Sequence, residues 1–197
     1  MQPAKDLLQL SQRVAASHGW AAAKAFKGWR WSEADQATIA STATALLKVF
    51  PGSHGHEAAL SAALAVQLER QLGAPVQLVA GTLSLDGVPV IGDRQTFDGP
   101  AVFSQDEPDF AGHLWVMAGG HVIDIALFRL AASPECPPEL ARHVHLAFGQ
   151  GKGLYADRWR GAKRSGLSWE PQYVLSEAEV TGLMGTAFRL MTAAKEG

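Results

Sequence analysis

Apolar positions recur at helical spacing along several stretches of the chain and gather into short strand-like runs in others. Leu7, Leu8, Leu10, Val14 and Ala15 predict a helix over 3–18, ended by Gly19 and continued after a bend over 20–28. Ser32-Glu33-Ala34-Asp35 has the form of a capping box, in which hydroxyl and carboxylate satisfy the free backbone donors of a helix start. The helix that follows would run to about Val49, with Ile39, Ala43, Leu46 and Leu47 inward, and Pro51-Gly52 would stop it. Leu60, Ala63, Leu64 and Leu68 predict a third helix over 57–72. Its many alanines would let neighbours approach its backbone, as in a central buried helix, and Gly73 would cap its end.

Strands are predicted at 76–85 and 88–91, joined by an Asp86-Gly87 turn. The polar stretch 92–111 reads as an irregular loop, with a short strand at 101–103. A helix is expected over 139–148, a glycine-rich mobile loop over 149–166 and a strand over 169–175. Ser176-Glu177-Ala178-Glu179 forms a second capping box. It would open a final helix through Val180, Leu183, Met184, Ala187, Phe188 and Met191.

Two apolar runs flank Gly119-Gly120, a pair suited to a two-residue hairpin turn. That turn sets Ala118 opposite His121, Met117 opposite Val122, Val116 opposite Ile123 and Trp115 opposite Asp124. Side chains alternate along a strand, so His113, Trp115 and Met117 share a face with Val122, Asp124 and Ala126. His113 and Asp124 become diagonal neighbours on that face, close enough for their side chains to meet. A carboxylate there can orient an imidazole for chemistry, or simply bond it as part of the framework.

Composition narrows the classes. The chain has 197 residues, 47% of them hydrophobic, enough for one domain with a sizeable core. Its net charge of −2 and lack of an extended basic run argue against a nucleic-acid partner. No apolar run approaches the roughly 20 residues of a membrane span, and no signal segment is visible. A single cysteine, Cys136, excludes an internal disulfide and suits a small packed residue near a helix start. The expectation is a cytoplasmic protein that does not bind membranes, with its oligomeric state left open. The one dense cationic stretch, 158–164, reads as a solvated loop or as a site for an anionic ligand.

The order of elements carries a resemblance. Leu72-Gly73-Ala74-Pro75-Val76, Val79-Ala80-Gly81, His113-Leu114-Trp115-Val116 and Val122-Ile123-Asp124 follow a central helix. Over about 50–130 the chain thereby resembles the transglutaminase-like superfamily, a branch of the papain-like cysteine hydrolases and acyltransferases. The resemblance implies an α+β domain, with a central helix packed on an antiparallel sheet and extra N- and C-terminal helices. It also implies a Cys-His-Asp mechanism acting on a peptide or small amide or ester. The thiol would sit at the helix N-terminus, where its pKa falls, and His113 and Asp124 would complete the triad.

The sequence departs from that pattern at the nucleophile. Ungapped alignment puts Ala58 in its slot, and small shifts put Gly55, His54 or Ser53 there. Four readings follow. The domain could bind a ligand without catalysis, with Trp115 as core or cleft wall. Ser53 could act as the nucleophile with His113 as its base. His54 and His56 could meet His113 or Asp124 around zinc; otherwise no cofactor is expected. Finally, His113 and Asp124 could be purely structural.

Overall fold

The computed structural model describes residues 3–50, 55–105 and 108–196. Three helices precede the sheet: α1 (Pro3–Gly28), α2 (Glu33–Val49) and α3 (Glu57–Gln71). Gly19 kinks α1 with φ 82°, which a glycine adopts without Cβ strain. The Ser32 box opens α2 as expected. Asp35 N–H donates to Ser32 Oγ at 3.2 Å, and Ser32 N–H donates to Asp35 Oδ2 at 2.8 Å. The end of α3 differs from expectation. Leu72 takes extended backbone and its N–H donates to Leu68 O, so no left-handed cap is needed at Gly73.

The remaining elements are β1 (Val76–Leu85), β2 (Val88–Ile91), α4 (Gly99–Phe103), β3 (His113–Ala118), β4 (His121–Asp124), α5 (Leu127–Ala132), α6 (Pro138–Phe148), β5 (Tyr155–Arg158), α7 (Trp159–Ala162), β6 (Leu167–Val174) and α8 (Glu177–Glu196). Two corrections stand among them. Residues 101–103 are helical, because Asp98 accepts from Ala101 N–H and Pro100 favours a first helical turn. The stretch 149–166 is no plain loop: it holds β5 and α7. On α8, Leu183 and Ala187 are buried while Phe188 is 68% exposed.

All strand pairings are antiparallel. β6 runs along Val79–Leu85 of β1, overlapping the stretches that pair with β3 and β2. β6 therefore holds one edge of β1, while β3 and β2 follow one another along the other. From β6 the order is β1, β3, β4, β5. The two outer strands of that path nevertheless meet: Tyr155 of β5 stacks on Trp169 of β6 with ring centroids 4.7 Å apart. The sheet is curled.

Curling separates two cores. On the outer face Leu78, Ala80, Leu114, Val116 and Ile123 pack with Leu60, Ala63 and Leu64 of α3, backed by α2 and α8. Inside the curl, Val79, Leu83, Trp115, Met117, Val122 and Trp169 pack with Leu10, Val14 and Phe26 of α1 and with Leu140 and Val144 of α6. β1 is covered on both faces, so its burial does not alternate. Cys136 packs into the inner core, where burial raises its thiol pKa.

Candidate functional site

The hairpin forms in the expected register, with Val116 opposite Ile123, Met117 opposite Val122 and Ala118 opposite His121. Its period-two alternation places His113 and Asp124 on the inner face. His113 Nε2 donates to Asp124 Oδ2 at 2.6 Å, and the two residues are 3% and 0% exposed. Asp124 does more than hold the ring. Its Oδ2 also accepts from Trp169 Nε1 at 2.8 Å. Its Oδ1 accepts from the N–H groups of Ala126 at 3.0 Å and Leu127 at 2.9 Å, where α5 begins. Four donors from three parts of the chain thus converge on one carboxylate. With Nε2 engaged, Nδ1 is the His113 nitrogen left to meet a nucleophile.

Trp169 was not foreseen as part of this site. It lies 45 residues beyond Asp124, and nothing local in the sequence marks an indole as the partner of that carboxylate. Trp115 stacks against His113 with ring centroids 6.1 Å apart. It is fully buried, so it is a core residue, and its Nε1 has no partner among the described residues.

Ser61 Oγ donates to Leu114 O at 3.1 Å, tying α3 to the outer face of β3. His113 projects from the opposite face. Gly55 is exposed with φ 86°. His56 is the half-buried N-cap and makes no side-chain capping bond. Ala58 packs partly buried on the outer core. Ser53 and His54 lie outside the described residues. Nearby, burial lowers the pKa of Arg129, and the Glu57 carboxylate opposes that shift. Among the described residues, no three His, Cys, Asp or Glu side chains are grouped to hold a metal ion. No helix there is long and apolar enough to cross a membrane.

His121, at the hairpin turn, lies against Trp31 and Trp29 with ring centroids 4.5 and 5.9 Å away. Burial, and then the charge of Arg158, lower its pKa. Its contribution to stability is therefore fully present above the unfolded value of about 6.5. It is lost as pH falls through the lower folded value. Urea unfolding between pH 7 and 5 is expected to show a steeper acid loss for the native chain than for His121→Phe. Equal slopes would reject this assignment.

Comparison with protein-family models, curated proteins and solved structures finds no match for the chain.

Proposed function

We propose that this chain is a non-catalytic ligand-binding domain on a transglutaminase-like scaffold, with the His113–Asp124 pair kept as an internal brace. The observation that carries this reading is the convergence on Asp124. A triad acid need only orient one imidazole. This carboxylate also holds the Trp169 indole and the first donors of α5, inside a nearly closed core. Its bonds join the hairpin, β6 and α5.

Covalent labelling tests it. A fluorophosphonate probe is expected to leave both the native chain and Ser53→Ala unlabelled. Labelling of the native chain that disappears in Ser53→Ala would overturn the proposal in favour of a serine hydrolase. Metal analysis is expected to find no stoichiometric zinc in the purified protein. Bound zinc lost in the His54→Ala, His56→Ala double variant would also overturn it, in favour of a metal site.

A further inference from the structure

We infer that the cleft between α1 and β6 binds a small organic anion, with an aromatic or acyl body and a single carboxylate, sulfonate or phosphate group. This deepens the binding-domain reading by giving it a site and a ligand class. The cleft has a volume of about 460 Å³, in the range of small-molecule sites. α1, β1, the loop after β2, α7, the helical turn Lys163–Ser165 and β6 all contribute to its lining.

Its chemistry is divided. The charged lining residues are Arg13, Arg94, Arg160 and Lys163, against one carboxylate, Glu170. Arg94 grips that carboxylate with two bonds of 2.7 and 2.8 Å, and Ser84 Oγ adds a third at 2.8 Å. Arg94 also lowers the Glu170 pKa, chiefly through its hydrogen bonds. Four cations less one carboxylate leave the lining with a formal charge of +3 in a chain whose net charge is −2. Arg13 and Lys163 are exposed. Arg13 also donates to Gln172 O, which fixes its guanidinium at the edge of β6.

Leu10 and Trp169 are buried beneath these charges, and Trp159 is half-buried beside them. Trp159 Nε1 donates to Trp169 O at 2.9 Å, which holds its ring in place. Cations above a fixed aromatic floor complement a ligand whose charged group faces outward and whose apolar body lies inward. A cation would be repelled, and a neutral body would leave the charged rim unused. Trp169 also joins the cleft to the brace, since its Nε1 reaches Asp124.

8-Anilinonaphthalene-1-sulfonate, an aromatic anion, is the probe. N-phenyl-1-naphthylamine, the same body without the sulfonate, is its control. Calorimetric titration is expected to give one sulfonate site per chain, with the neutral dye at least about ten-fold weaker, the equivalent of one charge-assisted hydrogen bond. Arg13→Gln, Lys163→Gln together should weaken the sulfonate dye by about ten-fold or more and leave the neutral dye unchanged. Lys163→Gln alone, at an exposed side chain, should give part of that loss. Arg142→Gln, on α6 and outside the cleft, should give none. Equal affinity for the two dyes, or undiminished sulfonate binding in the folded double variant, would overturn the inference. Labelling at Ser53 would sink the non-catalytic reading and leave this site standing, whereas undiminished dye binding would do the reverse.

Discussion

Asp124→Ala is expected to cost about 3–5 kcal/mol of stability, the range for a buried polar pair broken from one side. For a chain of this size that lowers the thermal midpoint by roughly 10 °C. The loss comes less from the missing carboxylate than from what it leaves behind. His113 Nε2, Trp169 Nε1 and the N–H groups of Ala126 and Leu127 all lose their acceptor in a core that water does not reach. Asp124→Asn should fall between the native chain and the alanine variant. Its amide offers one carbonyl to donors that now meet an NH₂ group on the other side. His113→Ala should cost less than Asp124→Ala, because it removes one donor and leaves Asp124 with three. Differential scanning calorimetry with near-ultraviolet dichroism, which reports the Trp169 environment, checks the order. A cost under about 1 kcal/mol for Asp124→Ala would reject the brace, since one lost hydrogen bond already reaches that size.

Gly81→Ala is expected to be nearly as damaging, at about 3 kcal/mol, the upper part of the range for overpacking. Gly81 sits between His113 of β3 and Pro171 of β6, beside an irregularity in the β1–β6 register. A methyl group there would overlap the Glu170 carbonyl oxygen. It would also lie 3.0 Å from the Gln172 nitrogen and from the Trp115 ring. Two of these obstacles are backbone, so relief requires β1 and β6 to part. Gly73→Ala is the control. It meets open space, has no positive φ, and should change stability by a few tenths of a kcal/mol at most. Chemical unfolding of the two variants separates the cases; similar midpoints for both would mean that the β1–β6 junction yields easily.

Short-range devices made much of this fold legible. Both capping boxes bond as their sequences indicate, and Glu179 accepts from Ser176 N–H at 2.7 Å. The two-glycine turn set the hairpin register, and the register brought His113 to Asp124. Elements whose signals lie in distant partners were less visible. In β5 only Tyr155 is buried, so Asp157 and Arg158 give the strand the polarity of a loop. Residues 101–103 carry a strand-like composition, and their helix depends on Asp98 and Pro100 ahead of them. Phe188 follows the helical spacing of α8's apolar residues, yet it is exposed among the described residues. The cleft was half legible: the cationic run 158–164 supplies Trp159, Arg160 and Lys163. Arg13, Arg94 and the β6 residues join them only through the curl of the sheet.

The β1–β6 pairing also bears on how the chain is made. The second edge of β1 waits for a strand that ends 89 residues later, at Val174. At about 5–20 residues per second, synthesis leaves that edge open for roughly 4–18 s. α1 waits as well: Ser17 donates to Val174 O and His18 to Leu175 O, both at 2.8 Å. During that interval the nascent chain carries an unpaired, largely apolar strand edge, the surface on which chains associate with one another. Part of α1 is thus clasped by a segment 157 residues further along the chain, and the sheet closes only once β6 has been made.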